Sequence, residues 1–266
     1  MPHPPRSLAF ILAPTDQGTL IVNRFDYRID EVGEGIGIGF NLLNAGSYEA
    51  TEANIVCNLL ALRRRCHGDG VVAVDCGANI GVFTVEWAKS MTGWGEVVAI
   101  EAQERIFYAL AGNIAINNCL NARAIHAAAG ASNGTMNIPQ PNYLMPATFG
   151  SLELRASEKT EFIGQDISYA EEHLRPVAMI AIDTIGLRRI DLLKIDVEGM
   201  EADVLEGAKA SIARDHPLLV IEHIKSNVRV LHDILAEHGY NSYVVGINIM
   251  AIHPDDPVAQ FVRMAP

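Results

Sequence analysis

From residue 71 to residue 251, apolar runs of strand length alternate with amphipathic stretches of helical period. The runs 71–74, 97–100, 122–126, 190–195, 218–221, 243–245 and 247–251 read as strands, most of them rich in β-branched residues on both faces. Between them Phe83, Trp87 and Met91 recur at helical spacing, as do Ile106, Leu110 and Ile114; Val204, Ala208 and Ile212; and Val228, Leu231 and Leu235. Strands apolar on both faces and separated by helices predict a mostly parallel sheet covered on both sides. The link around Gly246 is too short for a parallel crossover, so the last two strands are predicted to be antiparallel.

Ahead of this rhythm, 8–12 and 19–25 read as strands around the turn Thr15-Asp16-Gln17-Gly18, and the glycines of 33–39 loosen the chain. A helix is predicted over 48–65, with Ile55, Leu59 and Leu62 on its apolar stripe. Glu49 and Glu52 in its first turn and Arg63 to Arg65 in its last complement the helix dipole. The rhythm breaks at 133–176, where Pro139, Pro141, Pro146, Gly150 and Gly164 stand among polar residues, and a stretch of this kind suits a lid over a ligand crevice. The organisation expected is a β-rich N-terminal addition at 1–45 and an α/β domain at 46–266 with a lid-like insertion at 133–176.

Composition narrows the setting. With 20 Lys plus Arg against 32 Asp plus Glu, the net charge of -12 repels a phosphate backbone, so nucleic acid is not an expected partner. No apolar stretch is long enough for an ordinary transmembrane helix, and the proline-rich start precedes no signal-peptide core, so no membrane partner is expected. Cys57, Cys66, Cys76 and Cys119 form no C-x-x-C pair and read as isolated buried thiols in a reducing cytoplasm. Both a monomer and a homo-oligomer stay open.

The sharpest local signal is Val74-Asp75-Cys76-Gly77-Ala78-Asn79-Ile80-Gly81, a strand ending in an acid and running through a glycine turn into a helix. Its D-x-G-x-x-x-G spacing is not the G-x-G-x-x-G of dinucleotide enzymes, and an aspartate in the place of the first glycine is a poor neighbour for pyrophosphate but a good one for a cation. S-adenosylmethionine carries a sulfonium and an ammonium and no phosphate, and so fits that inversion. Glu101 ends the next strand, 26 positions after Asp75, where an acid can accept hydrogen bonds from both ribose hydroxyls. Asp196 ends the fourth strand, with Glu198 two residues on, and Glu222-His223 ends the fifth. Helix capping is the structural alternative for the acids, and packing or solvent contact for the histidine.

By these residues the sequence resembles the FkbM family of class I S-adenosylmethionine-dependent methyltransferases, in VVAVDCGANIGVFT, in LLKIDVEGMEADVLEGA and in ILAEHGY, over roughly residues 46–254. The resemblance implies a Rossmann-like α/β fold with a seven-stranded, mostly parallel sheet and an antiparallel last strand. It also implies methyl transfer, commonly to a hydroxyl of a sugar, polyketide or similar small metabolite, with carboxylate acceptors known too. Carried over by position, Asp75, Gly77, Ala78, Asn79 and Gly81 form the methionine-side turn, Glu101 holds the ribose, and Asp196 and Glu198 line the site. Glu101-Ala102-Gln103 departs from the proline often found after the acid, which leaves the turn beside the adenine open. The residues before Gly46 match no part of the pattern.

The expected reaction is O-methylation of a small-molecule acceptor, with His223, Asp196 or Glu198 as catalytic groups and no resident metal, although a divalent ion on Asp196 and a neighbouring carboxylate would serve as well. A carboxyl O-methyltransferase is the alternative, and a cofactor-fold protein that binds without turnover is the alternative outside enzymes. A nicotinamide oxidoreductase is disfavoured by the glycine spacing and by Asp75.

Overall fold

Val71–Cys76 is buried at every position and forms β1, an inner strand of a seven-stranded sheet. The other strands are β2 (Gly95–Glu101), β3 (Ala122–His126), β4 (Leu192–Ile195), β5 (Leu218–Glu222), β6 (Asn241–Val245) and β7 (Asn248–Ile252). Their spatial order is 3-2-1-4-5-7-6, with β7 antiparallel to both of its neighbours and the pairs among β1 to β5 parallel. The helices are α1 (Ala50–His67), α2 (Val82–Ser90), α3 (Glu104–Ile116), α4 (Glu201–Gly207), α5 (Lys209–Asp215) and α6 (Val228–Glu237).

This computed structural model describes residues 8–157 and 160–262. By contact the chain divides into two units, one of Met1–Tyr48 with Asn137–Arg175, the other of Glu49–Met136 with Pro176–Pro266. The sheet and its helices belong to the second. There the predicted helix through Val204, Ala208 and Ile212 is split at Ala208, because a Cβ on Gly207 would meet the Gly130 carbonyl and the Asp183 carboxylate caps the restart by accepting from Ala210 and Ser211 N–H.

Helix α1 is turned from the expected stripe. Ala53, Val56, Leu60 and Arg63 are buried along with Leu59, while Ile55 is 41% exposed. Arg63 is not a solvent-facing partner of the helix dipole: at 2% exposure it donates to Asp191 at 3.0 Å and to Asp256 at 2.6 Å, and Asp191 also accepts from Val72 N–H and pairs with Arg189. These ions tie the amino-terminal ends of β1 and β4 together. Cys76 and Cys119 are buried as expected, whereas Cys57 and Cys66 are only partly covered.

In the first unit Phe10–Thr15 and Gly18–Asn23 form an antiparallel hairpin. The glycine run does not simply loosen the chain, since it leads into the helix Ile38–Ala45. Asp26 makes that start: one carboxylate oxygen accepts from Gly39 N–H at 3.0 Å, and a Cβ on Gly39 would overlap Asn23 O and Asp26 Cβ. The other oxygen accepts from Phe149 N–H, and Asn23 Nδ2 donates to Tyr143 O, so the N-terminal segment and the insertion build one unit. The stretch 133–176 is not wholly loop. It contains strand Gly134–Ile138, the start of strand Arg175–Ile180, and the short turns Phe149–Ser151 and Glu171–His173.

Candidate functional site

The carboxyl edge of β1, β2, β4 and β5 gathers most of the residues singled out from the sequence. After β1 the chain turns through Gly77, with φ 80, and a Cβ there would lie 1.7 Å from Asp196 O. Only glycine allows the turn to press against the end of β4. Asn79 takes the left-handed conformation too, and its side chain accepts from Ile80 N–H; Gly81 then begins α2.

Asp75 is 1% exposed, its Oδ2 accepting from the Thr84 hydroxyl at 2.6 Å and its Oδ1 buried with no hydrogen-bond partner among the described residues. Glu101 reaches back across the turn, accepting from Asn79 N–H at 3.0 Å and from Gln103 N–H at 2.7 Å. It shapes the loop as well as lining it, and the carboxylate still has room to accept a further donor. Burial pushes the Glu101 carboxyl up to about 7 in spite of the backbone N–H groups that favour its charge.

Lys194 is the residue that sequence reasoning missed. It sits in the middle of β4, buried, with Nζ 2.8 Å from Asp196 and 5.1 Å from the centre of the Phe83 ring. Burial opposes its charge, but Asp196 and Asp75 outweigh that and hold it well above the ordinary lysine range. The signal was a lone lysine inside Leu192-Leu193-Lys194-Ile195, where a buried strand needs an opposite charge nearby.

Glu222, passed over for its neighbour His223, and Glu52, read only as a first-turn residue, also belong here. Carboxylate oxygens of Asp196, Glu198 and Glu222 lie within 4.8 Å of one another. Burial and the charge of Asp196 push both Glu198 and Glu222 well above the usual carboxylate range, although Lys225 pairs with Glu198 at 2.6 Å. Three carboxylates so close can share a proton, and they are also a donor set suited to a hard divalent cation. Glu198 is held at φ 55, and Glu201 fixes that turn by accepting from Val197 and Gly199 N–H and from the Ser226 hydroxyl. His223 lies outside the acid group, its Nε2 buried without a hydrogen-bond partner among the described residues.

A sheet ordered 3-2-1-4-5-7-6 with its seventh strand reversed is the Rossmann-like sheet of class I methyltransferases. Residues 75–242 match the Methyltransferase FkbM domain, and the chain belongs to that family. It is similar to Methyltransferase sdnD of Sordaria araneosa, 31% identical over 153 residues that cover 50% of this chain and 59% of that protein. Methyltransferase 1 of Beauveria bassiana is 28% identical over 156 residues, covering 52% of this chain and 59% of that protein. The chain thus spans less than two thirds of the length of these relatives. Among solved structures it is similar to Methyltransferase FkbM from Methylobacillus flagellatus KT, with TM-score 0.49 and 18% identity over 70% of this chain and 44% of that one. Among the described residues no helix is long and apolar enough to cross a membrane.

Proposed function

We propose that this protein transfers a methyl group from S-adenosylmethionine to a hydroxyl oxygen of a small metabolite. The observation that carries the reading is the acid-lined edge of an FkbM-family sheet, where Asp75, Glu101 and Asp196 end three neighbouring strands. The residues present suit the donor: Asp75 keeps a buried oxygen without a partner among the described residues, Glu101 stands where it can accept from a ribose hydroxyl, and the backbone comes close at Gly77. When bound, the donor supplies an activated methyl group on a sulfonium.

The chain's own contribution is position and charge. The turn from Gly77 through Ala78 and Asn79 to Gly81, held by Glu101, fixes the donor's amino-acid and ribose ends, and the acids of β1 and β4 favour its positive charge. An alcohol is a poor nucleophile until its proton leaves. The group of Asp196, Glu198 and Glu222 takes that proton, the raised proton affinity of Glu198 and Glu222 suiting a base that works near neutral pH. His223, with Nε2 unpartnered among the described residues, is the second candidate.

Calorimetry with S-adenosylhomocysteine, followed by a labelled-methyl assay over alcohols, polyols and organic acids with identification of the product, tests the reading. An ether product is expected. An ester product would move the reaction to carboxylates, and absence of donor binding would remove methyl transfer altogether.

A further inference from the structure

The face of the sheet that carries Asp75 and Lys194 does not end at the acids. Along one cross-strand row Asp75 pairs with Lys194, Lys194 with Val220, and Val220 with Met250. Nearer the carboxyl edge, Glu222 pairs with Asn248, and Asn248 with Val245. Helix α1 meets this row at its first turn, where Asn248 Nδ2 donates to Glu52 at 2.8 Å. Beside that bond is a cavity of about 370 Å³, at the small end of ligand pockets, with Val56, Val220 and Met250 among its apolar walls. Ile55 and Ile247 also line it, and both are large apolar side chains left substantially exposed. Its polar lining includes Glu49, Glu52 and Asn248, with no lysine or arginine.

We infer that this cavity holds the methyl acceptor, and that the acceptor is a neutral alcohol with an apolar body rather than a sugar, a carboxylate or a phosphorylated compound. The inference rests on the methyl-transfer reading and names its substrate class. Apolar walls give a polyol nothing to replace the water it would shed, whereas a hydrocarbon body gains by burial there. The charge argument is independent of the walls. An anion in the cavity would face Glu49 and Glu52, while the nearby Lys194 is already paired with Asp196. A hydroxyl meets no such penalty and can point along the Glu222–Asn248 row toward the acids, with the hydrocarbon part over Val220 and Met250.

Saturation-transfer NMR with cyclohexylmethanol, cyclohexanecarboxylate and glucose, run with and without S-adenosylhomocysteine, is the test. The alcohol should give a signal and the other two should not. Ile55→Trp, made at an exposed position so that the fold survives, should cut alcohol binding about tenfold and leave S-adenosylhomocysteine affinity within about twofold of the parent. Binding of the carboxylate or of glucose as strong as that of the alcohol would overturn the inference. So would binding of none of the three, or an unchanged alcohol signal in a folded Ile55→Trp. Loss of the donor-binding arm alone would count against methyl transfer and not against the cavity's preference, which the alcohol series reads directly.

Discussion

Replacing Lys194 by Met removes a buried ammonium while keeping a side chain of similar length beneath Phe83. Removing one partner of a buried ion pair typically costs about 3–5 kcal/mol, because the charge left behind has lost its solvent as well as its partner. The lower half of that range is expected here, since the Asp196 side chain is 27% exposed and can turn to water, leaving Asp75 to bear most of the penalty. Burial already raises the Asp75 pKa above its ordinary 3.8 and Lys194 opposes the rise, so losing the lysine raises it further. The folded variant then holds a proton that the unfolded chain releases. Its deficit against the parent should be largest above the raised value and shrink as pH falls toward 3.8. Urea unfolding at about pH 5 and about pH 8 measures this, with fluorescence of Trp87 and Trp94, the chain's 2 tryptophans, reporting the sheet-bearing unit alone. Asp75→Asn in the same background should recover part of the loss. A deficit equal at both pH values, with no recovery in the double variant, would show that Lys194 acts by packing and refute the charge argument.

Four further outcomes are expected. Glu101→Gln should weaken S-adenosylhomocysteine by about tenfold or more, and an analogue lacking both ribose hydroxyls should bind variant and parent alike; calorimetry decides both. Glu222→Gln should lower turnover by about two to four powers of ten with donor affinity unchanged, and the parent's rate should rise with pH as the acid group loses its shared proton. Chelation should leave that rate intact, and a loss restored by Mg2+ would assign the three carboxylates to an ion instead. In the first unit, burial lifts Asp26 from 3.8 to about 6 despite its backbone hydrogen bonds, so the folded form binds the extra proton and that unit should lose about 3 kcal/mol as pH rises through this window. Amide exchange at Gly39 and Phe149, corrected for intrinsic rate, should quicken accordingly, and equal protection at both ends would dismiss the effect.

The central strands, their neighbours and the acids at their ends could be read from the sequence because a doubly covered parallel sheet leaves long apolar runs that end at one edge. What escaped reading depends on contacts between distant segments. Lys194 drew no notice inside the strand 190–195, since Asp75, which faces it across the sheet, is far away in the chain. Arg63 looked like a surface charge because the register of α1 is set by packing and not by its own weak amphipathic stripe, and the same rotation exposed Ile55. The helix Ile38–Ala45 was hidden by its glycines, which satisfy a close approach to Asp26. The stretch 133–176 read as a lid, and its packing with the N-terminal segment was illegible because those contacts are made with residues more than 100 positions earlier.

The Arg63–Asp191–Asp256 ions lie at the end of the sheet away from the acids and are joined to β1 at Val72, whose N–H donates to the Asp191 carboxylate and whose carbonyl accepts from Asp191 N–H. One buried ionic tie of the sheet is therefore housed at the opposite end of the strands from the chemistry. Carboxylates such as Glu198 and Glu222 can be exchanged for others, by selection or by an engineer, against a foundation they do not touch. This gives the scaffold room to change acceptors without first having to become more stable.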